Sequence, residues 1–207
     1  MAQPTTAPAA PDRAEANVLA MVCNKYTTNT IDYWEIGWGS SDSVMMIEEQ
    51  EIRYYNNLGW CILSNKANTD DTSDDASAFS NLHVDMWAPA ASKVKMTFES
   101  KNGDPKTGVE FVLAAGWNSF DAPLTDWEGV TFAGVKYLIF EAYTDMEGNS
   151  LEGTGENAKF AFANAYFFNN PAGVQNAAAI KAQKLVENGQ IVILKNGVRY
   201  NVLGAQL

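Results

Sequence analysis

The sequence predicts an all-β fold, an antiparallel β-sandwich or jelly roll carrying a small C-terminal β-hairpin tail. Three observations predict it. About nine short runs alternate apolar and polar residues with the period of two that sends successive side chains to opposite faces of a strand. Those runs are rich in β-branched and aromatic residues, and Gly, Asn, Asp and Pro punctuate them at short spacing. Two Asn-Gly pairs, Asn188-Gly189 and Asn196-Gly197, stand between apolar runs near the C-terminus, and Asn-Gly is the pair that a tight hairpin turn selects.

Taken in order, residues 1–16 (MAQPTTAPAAPDRAEA) read as a flexible Pro/Ala/Thr-rich tether. The globular part, 17–170, opens with strands expected at 18–23, 43–55 and 58–63. Further strands are expected at 81–87, 92–100, 108–113, 116–122, 134–143 and 158–168. Asp75–Ser80 and Leu124–Trp127 suggest short helical turns, with Asp75 and Thr125 as N-caps. Residues 171–183 read as a linker and 184–207 as a hairpin tail that docks on the main domain or is read by another protein.

Composition narrows the function. With 207 residues and 46% hydrophobic content the chain can bury one good-sized core. A net charge of −11 opposes nucleic acid or an anionic membrane as partner, because phosphate-tracking surfaces need clustered Lys and Arg. No apolar run approaches a membrane-spanning helix in length, and the N-terminus lacks the apolar segment of a signal peptide. Cys23 and Cys61 are the only cysteines, with no CxxC spacing and no neighbouring His, which argues against zinc. A disulfide and two buried thiols both fit, so the cysteines leave the compartment open.

Several short blocks carry a resemblance. They are Asp75-Ala76-Ser77, the strand Leu82-His83-Val84-Asp85-Met86-Trp87, the strand Gly116-Trp117-Asn118-Ser119-Phe120, and the closing Asn164-Ala165-Tyr166-Phe167, with Trp34–Gly39 (WEIGWG) before them. Over about residues 17–168 this resembles the non-catalytic β-sandwich domain of secreted Bacteroidetes carbohydrate-active proteins. The resemblance implies a galactose-binding-like fold, a secreted or cell-surface location, and carbohydrate binding beside a glycoside hydrolase or within a glycan-capture system. Members of that fold often hold a structural calcium ion through an Asp in the closing strand. The corresponding position here is Ala163, with Asn164 retained; this departure counts against calcium, and no cofactor is expected. The ending Tyr200-Asn201-Val202-Leu203-Gly204 is similar to C-terminal tails of exported Bacteroidetes proteins, which implies a sorting or anchoring role.

Sugar binding needs flat aromatic faces for the C–H faces of pyranose rings and planar polar groups for hydroxyls. In the strand over 82–87, Leu82, Val84 and Met86 share one face, leaving His83, Asp85 and Trp87 on the other. That trio reads either as a polar-aromatic sugar platform or as a set fixed for folding. Tyr33, Trp34 and Trp38 fall in a loop-like segment turned by Gly37 and Gly39. Trp34 is the platform expected there, and Trp38 fits a platform or a core plug. Trp60 shares a face with Ile62, which suits the core and also admits a site on that face. Trp117 and Trp127 read as structural. The candidate carbohydrate-binding residues are therefore Tyr33, Trp34, Trp38, Trp60, His83, Asp85 and Trp87.

No residue is assigned to catalysis or metal binding. The acidic run Thr69–Asp75 lacks the alternate ligands, central Gly and terminal Glu of an EF-hand loop. A retaining glycosidase needs two carboxyls roughly 5–5.5 Å apart; the Glu-x-Asp-x-x-Glu run that presents them on one strand face is absent, as are GxSxG and HExxH. Glu48, Glu49 and Glu51 read as a solvated strand edge. The expected function is a non-catalytic carbohydrate-binding module for polysaccharide or oligosaccharide. The alternative is a structural or adhesion domain of a surface assembly with a protein partner.

Overall fold

A computed structural model describes residues 2–26, 33–37, 39–64, 75–100 and 106–169, with only the backbone of Tyr33, and the backbone of 183–187, 190–195 and 198–200. The chain divides into two compact units, Met1–Asn169 and Asn170–Leu207.

The larger unit is an all-β sandwich of two antiparallel sheets. The first contains β1 (Val18–Val22), β3 (Asp42–Ile47), β4 (Gln50–Tyr55), β6 (Asn81–Ala88), β9 (Gly116–Pro123) and β11 (Phe160–Phe168). Its order is β3-β4-β11-β6-β9, with β1 pairing the later part of β11. The second holds β2 (Tyr33–Ile36), β5 (Trp60–Ser64), β7 (Ser92–Ser100), β8 (Thr107–Leu113) and β10 (Val135–Thr144), in the order β2-β5-β10-β7-β8.

Alternation along the strands explains the core between the sheets. From the first sheet Tyr55, Leu82, Val84, Met86, Phe160, Phe162 and Phe167 face inward; from the second come Cys61, Leu63, Val94, Met96, Phe98, Leu138 and Phe140. β11 lies between β4 and β6, and all nine of its residues are buried. A β-bulge shifts its register between Ala163 and Tyr166, with Asn164 at a φ of 51°. The extra residue changes the phase of the strand. Phe160 and Phe162 face the core before it, Ala165 and Phe167 after it, and Tyr166 and Phe168 turn to the outer side.

The structure differs from expectation at several elements. The run expected as one strand over 43–55 is a hairpin, because Glu48 and Glu49 stand between the paired Ile47 and Gln50 with φ of 50° and 65°. Both central residues of a type I′ turn need positive φ, and that turn matches the strand twist. Trp34, expected in a loop, lies in β2. Asp75 caps the residues after it as expected, accepting hydrogen bonds from the Ser77 backbone N–H at 2.9 Å and hydroxyl at 2.6 Å, but what it caps is a turn at residues 77–78 rather than a helix. Leu124–Asp126 forms a 3₁₀ turn whose N-cap position is Pro123, without a side-chain cap, rather than Thr125.

The Glu48-Glu49 turn supplies a prediction. Left-handed backbone costs a non-glycine residue roughly 1 kcal/mol. The double substitution Glu48→Asn, Glu49→Gly is therefore expected to stabilise the protein by about 1 kcal/mol, raising its urea midpoint. An unchanged or lowered midpoint would contradict a left-handed turn at this place.

The smaller unit is a three-stranded antiparallel sheet of β12 (Gln183–Glu187), β13 (Gln190–Lys195) and β14 (Val198–Tyr200). Glu187 pairs with Gln190 and Lys195 with Val198, so two residues, each time Asn-Gly, separate the strands. The rest of the expected linker and the Asn201–Leu207 ending lie outside the described residues.

Candidate functional site

His83, Asp85 and Trp87 project from β6 to the outer face of the first sheet, but that face is covered. Residues 2–13 lie against it. Trp87 is 9% exposed and clusters with Ile52, Ala161 and Ala163, with Ala2, Ala7, Tyr54 and Trp117 packed alongside. The segment whose composition reads as a tether is thus held on the sheet, with Pro4, Pro8 and Pro11 buried. In this arrangement Trp87 presents no open ring face to a ligand.

The polar members are engaged as well. Asp85 is 2% exposed and accepts from Asn164 Nδ2 at 2.8 Å. His83 Nδ1 is 2.7 Å from Asp121 Oδ1, and Nε2 is 3.4 Å from Asp85 Oδ2. Its ring stacks on Tyr166, with centroids 4.6 Å apart. Arg13 Nη2 reaches the other oxygen of Asp121 at 2.6 Å, and its guanidinium lies 3.5 Å from the Phe168 ring centroid.

Burial opposes charge on His83, but hydrogen bonds and charge from Asp121 and Asp85 outweigh it and hold the imidazole above its ordinary 6.5. Both ring nitrogens face carboxylates, and only the protonated ring donates from both. A raised histidine pKa stabilises below the unfolded value, and the stabilisation is lost as pH rises through the folded one. Burial also opposes charge on Asp121, but His83 and Arg13 hold that carboxyl below its usual 3.8, so its own stabilisation fades only in acid. The wild-type unfolding temperature is therefore expected to fall from pH 5.5 to pH 8.5, and the His83→Gln variant to show a flatter profile. Equal slopes in the two proteins would remove His83 as the cause.

The calcium expectation can be tested at the same place. Ala163 offers no ligand, while Asn164 Oδ1 accepts from Cys23 Sγ at 3.4 Å and its Nδ2 donates to Gln50 Oε1 at 3.0 Å as well as to Asp85. These residues do not fit a calcium ion, since the oxygen a cation needs is already turned to a thiol. Among the described residues no three His, Cys, Asp or Glu side chains gather as metal ligands. Cys23 and Cys61 are both free and buried, and burial drives the Cys61 thiol up to about 12.

The earlier tryptophans separate. Trp34 turns inward against the core, and the Arg53 guanidinium lies 4.1 Å from its ring centroid. Tyr33 belongs to β2, opposite Ser64; its side chain, like all of Trp38, lies outside the described residues. Trp60 turns the other way. Cys61 and Leu63 enter the core, so Trp60 and Ile62 stand on the outer face of the second sheet. Gly37 N–H donates to the Trp60 carbonyl at 2.9 Å. A Cβ on Gly37 would sit 3.2 Å from the indole nitrogen, so glycine leaves the space in which the ring lies.

Register assembles the rest of this face, and Glu141 and Thr97 are the members that sequence reasoning missed. Trp60 pairs with Glu141, and Ile62 with both Ile139 and Glu35. Lys95 stands opposite Glu141 and Glu110, Thr97 opposite Ile139 and Gly108, and Tyr137 opposite Glu99. Thr97 Oγ1 donates to Glu141 Oε1 at 2.7 Å, and Lys95 Nζ lies 3.2 Å from the same oxygen. Any side chain at Gly108 would collide with Thr97 and Lys95, whose atoms come within 2.5 and 2.6 Å of its Cβ position. The face thus offers a half-buried indole beside carboxylate, ammonium and hydroxyl groups held in fixed positions. Alternation within β7 and β10 was a signal for it, but the signal becomes usable only once strands distant in sequence are paired.

The fold and this face define an antiparallel jelly-roll sandwich with an aromatic-polar outer surface on one sheet. Solved structures share the architecture at low identity. The chain is similar to the family 11 carbohydrate-binding module of the cellulosomal cellulase Lic26A-Cel5E of Clostridium thermocellum, at 13% identity, over 67% of this chain and 86% of that one, with a TM-score of 0.42. It is similar to a family 29 carbohydrate-binding module variant at 18% identity, covering 69% of this chain and 89% of that one, with a TM-score of 0.42. An exo-β-agarase matches at 10% identity and a TM-score of 0.50, over 73% of this chain and only 25% of the enzyme. No model of a known protein family matches the sequence, and no curated protein does.

Proposed function

We propose that this protein is a non-catalytic carbohydrate-binding module that takes polysaccharide on the outer face of its second sheet. The observation that carries the reading is Trp60, half-buried and pointing outward, with its backbone and ring space fixed by Gly37. A rigid indole offers a large flat area at small entropic cost. Glu141, Lys95 and Thr97 beside it are already bonded to one another, and such a preorganised set can donate to and accept from sugar hydroxyls without reorganising. Solved carbohydrate-binding modules use this architecture too, one of them in complex with a β-1,3-1,4-mixed-linked tetrasaccharide. The non-catalytic part rests on the absence of a paired-carboxylate strand motif and on the engagement of the only histidine between Asp85 and Asp121. In this reading the module works outside the cell or on its surface, beside a glycoside hydrolase. Among the described residues no helix is long and apolar enough to cross a membrane.

Affinity gel electrophoresis against a panel of soluble glucans, xylans and mannans tests the reading. Retardation by at least one glycan, without release of new reducing ends, is the expected result. Release of reducing ends would replace the module by an enzyme. Migration unaffected by every glycan would favour the protein-binding alternative.

A further inference from the structure

We infer that the outer face of the first sheet is a recognition groove for an extended, proline-rich polypeptide, which residues 2–13 occupy in cis and which an equivalent segment of another chain can occupy in trans. Donor and acceptor chemistry carries the inference. Among the described residues, five side chains of the sandwich donate to backbone carbonyls of this segment: Tyr54 Oη to Ala2 at 3.3 Å, Trp117 Nε1 to Thr6 at 2.8 Å, Gln50 Nε2 to Pro8 at 2.8 Å, Lys25 Nζ to Pro11, and Tyr26 Oη to Arg13 at 3.1 Å. The segment makes no strand ladder.

A face that offers donors suits a chain that offers acceptors. Proline has a carbonyl but no N–H, so burying Pro4, Pro8 and Pro11 leaves no amide donor stranded at those positions. Proline also restricts the unbound segment, which lowers the entropy lost on docking. Around the prolines, Gln3, Thr5, Thr6, Ala9 and Ala10 are exposed, so the groove reads proline spacing and carbonyl positions rather than those side chains. At one end Glu156 accepts from the Ala2 N–H at 2.5 Å; at the other, Arg13 pairs with Asp121 and lies over Phe168. The two ends fix direction and register. Aromatic side chains donating to carbonyls of a proline-rich chain are a general mode of peptide recognition. The trans partner fitting this groove is an extended segment with prolines at the same spacing and a cation at its C-terminal end.

The test uses the full chain with a specific protease site inserted between Ala14 and Glu15, cleaved and then filtered. A labelled peptide spanning residues 2–14 is titrated by fluorescence anisotropy. Saturable binding is expected, because cutting removes the effective concentration that favours the cis segment. Replacing all three prolines of the peptide by alanine is expected to weaken binding at least tenfold, and Trp117→Phe in the protein several-fold. A cleaved segment that stays bound and exchanges with labelled peptide supports the inference equally. Three results would overturn it: a folded, uncovered protein that ignores the peptide; equal binding of the proline-free peptide; or loss of cooperative unfolding once the segment leaves. Glycan bound by the uncovered face in place of peptide would overturn it too, whereas glycan bound on the Trp60 face bears only on the reading of the second sheet.

Discussion

Trp127→Ala is expected to cost about 3–5 kcal/mol of stability, the range for truncating a buried large aromatic. The indole is 1% exposed. It meets Phe98 edge-on at 5.2 Å between centroids and Phe111 at 6.3 Å, and its Nε1 donates to the Met96 carbonyl at 2.9 Å. Alanine would leave a cavity beside both rings and remove the indole donor from the Met96 carbonyl. For a domain of this size the loss corresponds to roughly 6–20 °C in unfolding temperature. Trp127→Phe separates the two parts: it keeps most of the packing, loses the donor, and is expected to cost about 1–3 kcal/mol. Urea unfolding with an unchanged slope reads both. A loss below about 1 kcal/mol for the alanine variant would mean that the residue does not anchor the core.

Trp60→Ala is expected to abolish polysaccharide retardation while leaving the fold intact. Truncating a central aromatic anchor of a binding face costs about 2 kcal/mol or more, roughly a thirtyfold loss of affinity. The structural cost is smaller than at Trp127, because Trp60 lies outside the main core and is only partly buried. Trp34→Ala supplies the contrast. Its ring faces inward beneath Arg53, so the substitution is expected to lower stability more than affinity. Undiminished retardation of Trp60→Ala would exclude the outer face of the second sheet. Loss in Trp34→Ala with unchanged stability would move the site to that residue.

The two tryptophans show why the site was only partly legible. Trp60 was recognisable as a candidate because Trp60 and Ile62 alternate with Cys61 and Leu63. Both faces of that strand are apolar, however, so alternation distinguishes two faces without saying which meets the opposite sheet. Trp34 was read as loop because its segment is turned by glycines; pairing of β2 with β5 makes it a strand and sends the ring inward. For Glu141 and Thr97 the local alternation was not enough, since an alternating charged face also describes any solvated strand.

By itself the sequence determined the class and most strands of this protein. Period-two alternation is a local property, and β6, β7, β9 and β11 lie close to where it put them. It also determined that Leu82, Val84 and Met86 share one face and His83, Asp85 and Trp87 the other. Only the tertiary structure decided what covers each face. Thr6 and Trp117 stand 111 residues apart, and nothing in a proline- and alanine-rich stretch records which distant donors its carbonyls will meet. The same holds at Glu48-Glu49, where cross-strand pairing imposes a turn that neither residue favours. Local pattern fixes the period and the faces of a strand, whereas burial, and with it the choice between core and binding surface, belongs to contacts between residues far apart in the chain.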